Sequence, residues 1–174
     1  MSAAAAKLKQ RLSGYWKMEA WNVVLLPAFL LFVARWNLSW ISVLNIIPMM
    51  LLLVVGAYYW RAKLKHLENR SYPFSGAMRL ISISQVPLLM LTLIASLALI
   101  YAWVIPGHFK SNWDQGVATF AAVLSVLEYV NYYHRQLQHF DHGPDFKRLL
   151  SGKALRASQM AKDLKTYRKI RRIQ

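Results

Sequence analysis

Four long apolar stretches, near residues 20–34, 41–60, 80–105 and 116–133, alternate with segments whose charges are almost all basic. A bilayer hydrocarbon core of about 30 Å requires roughly 20 apolar residues of helix. Lipid offers the backbone no hydrogen-bond partners, so each stretch predicts a membrane-spanning helix. The expected fold class is all-α: an integral membrane four-transmembrane-helix bundle, with an N-terminal interfacial helix and a basic C-terminal cytoplasmic helix. The predicted organisation is an interfacial segment over 1–18, a transmembrane domain over 19–140 and a basic helical tail over 141–174.

Within these stretches the pattern locates ends and interruptions. Ala3–Ala6 runs into Lys7, Leu8, Arg11, Leu12, Tyr15 and Trp16, an apolar edge beside a basic one. That predicts a helix lying along the interface before the chain turns into the bilayer. Pro27, Pro48 and Pro87 fall inside the first three stretches, where a missing N–H tends to bend a helix. Neighbouring helices commonly repair that loss. Ser75, after Tyr72-Pro73, is a candidate cap for the third helix. In the fourth stretch Ala118, Ala121, Ala122 and Ser125 form a small-residue face that permits close approach of another helix. Gly143-Pro144 predicts the end of that helix, and Leu149, Leu150, Leu155, Met160, Leu164, Tyr167 and Ile170 form a broken apolar stripe in the tail.

Charge sets the orientation. The 174 residues contain 22 Lys and Arg against 7 Asp and Glu, with 56% hydrophobic residues. Four bases precede the first span, one lies between the first and second, and five between the second and third; one lies between the third and fourth, and eleven follow the fourth. The concentration on one side predicts, by the positive-inside rule, a multi-pass protein of a cell inner (plasma) membrane with both termini cytoplasmic. The first span has no small-residue cleavage pattern after it and reads as a retained signal anchor. There is no cysteine, which excludes a disulfide framework and a thiolate metal site.

One polar constellation has geometry behind it. At 100° per residue, Glu128, Asn131, Tyr132, Arg135 and His139 share one face of the fourth helix within an arc of about 100°. An ionisable group inside a span is costly and faces protein, a cavity or a partner. Arg135 is the expected counter-charge of Glu128, and Glu19 at the start of the first span is placed to join the cluster. The set reads either as a buried ion pair with hydrogen-bonding neighbours or as a gate for protons, cations or a polar substrate. His134, His139, Asp141 and His142 include metal-ligating types, but their spacing provides no paired scaffold, and neither metal nor cofactor is expected. Six residues separate Arg135 from His142, a loose spacing found in some helical ribonucleases and too short to carry an activity. No nucleophile triad, phosphate loop or carboxylate dyad is present.

The tail presents Lys147, Arg148, Lys153, Arg156, Lys162, Lys165, Arg168, Lys169, Arg171 and Arg172. Near an anionic bilayer each base contributes about 1 kcal/mol, so anionic lipid or an acidic partner is the expected ligand. Nucleic acid fits less well, because only Phe146 and Tyr167 could serve as stacking platforms. The resulting expectation is a non-enzymatic membrane interaction or accessory protein, either a homo-oligomer or bound to another membrane protein. It docks through the basic tail and the Glu128–His139 face. The alternative is a small oligomeric channel or transporter with Glu128 lining the pathway.

Overall fold

The computed structural model describes residues 3–137 and 156–173. The described residues form five helices: α1 (Ala3–Val33), α2 (Trp40–Glu68), α3 (Phe74–Val104), α4 (Asn112–Tyr133) and α5 (Gln159–Arg171). Among them there is no strand, only an isolated antiparallel bridge between Arg135 and Ala157. The fold is all-α, and residues 6–33, 40–68 and 74–104 are three helical segments long and apolar enough to cross a membrane. α4 has 22 residues, about 33 Å of helix. Its Asn112, Asp114, Gln115, Glu128 and Asn131 lower its apolarity, and it does not join that set.

α2 is the hub, packing against α1, α3 and α4, while α5 lies across α3 and α4. The core follows the bundle axis in three clusters. One joins Leu52, Tyr59, Met78, Ile81, Tyr129 and Tyr133 to Met160 and Leu164 of α5. The second centres on Leu30, Met49, Leu53 and Val117, and the third on Ile41, Leu99, Ala118 and Ala122. Outward positions are also apolar: Val24, Leu25 and Phe29 on α1, Val43 and Ile47 on α2, and Ile83, Val86 and Leu97 on α3 are exposed. Exposure of this kind on every side is costly in water and natural in lipid.

Four expectations change. Residues 3–18 do not turn along an interface but continue directly into the first span as α1. That length is held against the end of α2 by Lys9–Glu68 at 2.7 Å, by Tyr15 on Trp60 at 5.1 Å, and by the Arg61 guanidinium over Trp16. α3 starts at Phe74 with Pro73 at its cap, so Ser75 sits in the first turn and does not cap it. The three prolines lie within continuous helices. The small face of α4 is turned inward: Ala118, Ala121, Ala122 and Ser125 are buried, and α2 packs closely against this helix. Another copy of the chain therefore cannot use that face.

The fourth change is the end of α4, which comes at Tyr133 and not beyond His139. Asn131 and Ser158 supply the reason. The Asn131 side-chain oxygen accepts the Leu137 N–H at 3.0 Å, and Ser158 Oγ donates to the Tyr132 carbonyl at 2.6 Å. The Gln136 N–H donates to Arg156 O at 2.9 Å and the Ser158 N–H to His134 O at 3.2 Å. These bonds replace those a further helical turn would make. Ser158 also caps α5 by accepting the Ala161 N–H at 3.0 Å.

Candidate functional site

The termini of α1 to α4 that carry most of the basic residues meet α5 at one end of the bundle, the basic end. There the chain buries two carboxylates. Glu19 on α1 is 3% exposed and Glu128 on α4 is 8% exposed. They are close enough for the Glu128 charge to act on Glu19, so the sequence-based association of Glu19 with this cluster holds. The Tyr132 hydroxyl faces both carboxylates. It is itself buried, 4% exposed, and has no partner at hydrogen-bonding geometry. Asn131 Nδ2 donates to Glu128 Oε2 at a long 3.4 Å.

Gly56 on α2 makes the arrangement feasible. A Cβ at this position would overlap the Tyr132 hydroxyl and its ring carbon. The absence of a side chain therefore lets the phenol lie against the α2 backbone. Beside it opens a cavity with a water-accessible volume of about 80 Å³. Glu19, Asn131 and Tyr132 line it together with Tyr15, Tyr59 and Trp60, and Ser158 and Met160 close it from the α5 side.

A second layer fastens α5 over this cavity. Tyr59 donates to Asp163 Oδ2 at 2.7 Å, and Lys63 Nζ reaches the same oxygen at 2.5 Å. Arg168 extends to α3, with Nη2 on Gln85 Oε1 at 2.5 Å and on Ser82 Oγ at 3.3 Å. With Met160 and Leu164 in the core and Asp163 paired, the remaining α5 positions Lys162, Lys165, Arg168, Lys169 and Arg171, together with Arg156 and Arg172 just outside the helix, are exposed. Arg168, Lys165, Lys169 and Arg172 line one groove with Tyr133 and Leu164 as apolar floor.

Of the residues the sequence singled out, Glu128, Asn131 and Tyr132 come together on α4. Arg135 lies beyond the helix end in the bridge to Ala157, so it does not continue the Glu128 face. His134 is the C-cap of α4, its ring 5.7 Å from that of Tyr129. His139, Lys147, Arg148 and Lys153 lie outside the described residues, as do Asp141 and His142. Tyr59, Lys63, Ser158 and Asp163 were not identified from sequence. Asp163 alone left a signal, an acid on the apolar side of an otherwise basic helix. No protein-family model, curated protein or solved structure matches this chain.

Proposed function

We propose that this protein is a non-enzymatic, four-span protein of the cell inner membrane, with both termini cytoplasmic, that docks an anionic lipid surface or the acidic face of another membrane protein. The observation that carries the reading is the seating of α5. Its apolar side is held in the bundle by Met160 and Leu164, and its bases project outward at the level where the apolar exterior of α3 gives way to polar residues. A helix attached this way delivers its charge to one fixed position at the bilayer surface, where each base adds about 1 kcal/mol toward anionic lipid. The exposed Phe120, Val123, Val126 and Leu127 support α4 as the fourth span, and the concentration of bases at one end supports the cytoplasmic assignment. Native mass spectrometry of the protein released gently from its own membranes tests the reading. Wild-type protein is expected to retain acidic phospholipid or one defined partner, and a variant with Lys162, Lys165, Lys169 and Arg172 all changed to Gln to lose it. Equal retention by both would remove the basic face from consideration.

A second reading has its own support. Two carboxylates buried together at the end of a helix bundle suit a small oligomeric channel or transporter with Glu128 on the pathway. In reconstituted vesicles, Glu128→Gln is then expected to abolish cation or proton flux while helical content is preserved. Unchanged flux, or no flux in the parent protein, rejects it.

A further inference from the structure

The Glu19 cavity has an unusual electrostatic setting. The chain carries 22 Lys and Arg, yet no described residue lining this cavity is basic. The nearby bases are engaged: Lys63 with Asp163 and Tyr59, and Arg168 with Ser82 and Gln85. Glu19 and Glu128 are thus both buried with the Tyr132 hydroxyl facing them, and that hydroxyl, itself buried, meets neither at full hydrogen-bonding geometry. Buried carboxylates require a counter-charge or a proton, and buried tyrosine hydroxyls ordinarily find a partner.

The composition of the walls specifies the chemistry. Hard metal cations require several oxygen ligands. Ser158 Oγ is already engaged with Tyr132 O and the Ala161 N–H, and the Asn131 oxygen with the Leu137 N–H. The Glu19 carboxylate, the Tyr132 phenol and the Gln136 and Gln159 amides complete the polar wall, beside Tyr15, Tyr59 and Trp60, and among the described residues no three His, Asp or Glu side chains converge as a metal site would need. Carboxylate plus aromatic side chains is the combination that recognises an ammonium group, and about 80 Å³ admits only a small one. We propose that this cavity binds a small alkylammonium ion, its nitrogen between the Glu19 carboxylate and the Tyr132 oxygen and its alkyl group among the aromatic side chains. Glu128, outside the cavity wall but facing the same phenol, adds its charge at longer range. The proposal does not rest on the basic face of α5.

Equilibrium dialysis of the full chain in nanodiscs against radiolabelled methylammonium, at constant ionic strength, tests this. Saturable binding of one ion per chain is expected, resistant to excess sodium or potassium chloride. Glu19→Gln should weaken it about thirtyfold or more, the consequence of removing a buried charge partner. Tyr132→Phe, which deletes a single oxygen, should weaken it by about three- to tenfold. The Lys162, Lys165, Lys169 and Arg172 quadruple variant should bind as the parent does. Absence of saturable binding overturns the proposal, as does displacement by equimolar sodium, which would indicate a generic cation site. If Glu19→Gln fails to fold, Tyr132→Phe decides: undiminished affinity in a correctly folded variant also overturns it.

Discussion

At the end of the bundle opposite the basic one, a single carboxylate fastens two loops far apart in sequence. Asp114 is fully buried and accepts the Ser39 N–H at 3.0 Å on one oxygen and the Lys110 N–H at 2.9 Å on the other. The Ser42 hydroxyl donates to it as well. Burial alone would raise the carboxyl, but these donors from Ser42, Ser39 and Lys110 outweigh it and hold Asp114 below the usual carboxylate range. A depressed folded value means that the stabilisation is complete above the unfolded value of about 4 and is lost as pH falls through the folded one. Asp114→Asn is expected to cost about 2–3 kcal/mol at neutral pH, read from thermal unfolding followed by circular dichroism in detergent. The gap between variant and parent should narrow progressively below about pH 4; a gap that persists there would show that the charge is not the cause. In the sequence Asp114 stands out only as the sole acid of a short loop. Its bonding to Ser39 and Ser42 depends on the α2–α4 packing, which helix periodicity does not encode. Glu19 and Glu128 were more legible, because an acid in an apolar stretch must face protein wherever the helices lie.

Each helix was legible from its apolar stretch, and the differences lie at ends, where local bonds compete with helix continuation. α1 extends through residues 3–18 because Leu12, Tyr15 and Trp16 have surfaces to pack against on α2. An amphipathic pattern alone is the same for a helix on lipid and a helix on a neighbour. α4 stops at Tyr133 because Asn131 and Ser158, 27 residues apart in the sequence, take over its terminal hydrogen bonds. The α5 stripe looked incomplete for a free helix, and it is sufficient because only Met160 and Leu164 need to reach the core. Leu164→Ala therefore carries an expected cost of about 2–5 kcal/mol, concentrated in the attachment of α5. Limited trypsinolysis should cut after Lys162, Lys165 and Arg168 faster in this variant than in the parent. Thr166→Ala, at an exposed position of the same helix, favours the helix and should not speed cleavage, and equal acceleration by both would mean that loss of Leu164 docking is not the cause.

Across the whole molecule, charge and burial divide along the axis. The far end is closed by Asp114 and the two loops it binds, the middle is mainly apolar inside and out apart from buried Asn45, Thr92 and Ser125, and the basic end holds the buried acids beneath α5. α2 lies at the centre and contacts the three other long helices, so its Gly56 and Tyr59 couple the cavity to both α4 and α5. This division predicts a specific topology: if α4 is the fourth span, Arg35 and Lys110 lie on one side of the membrane and Lys65 and Lys169 on the other. The natural absence of cysteine makes the test clean, since each introduced thiol is then the sole reactive site. Arg35→Cys and Lys110→Cys are expected to react with a membrane-impermeant maleimide on intact cells. Lys65→Cys and Lys169→Cys should react only after permeabilisation. The decisive pair is Lys110 and Lys169: labelling of both from one side would mean that α4 does not cross, and Glu128 would then not lie within a span. Opposite labelling, with Lys169 protected in intact cells, would set the exposed bases of α5 against the cytoplasmic leaflet, where anionic lipid is available to them.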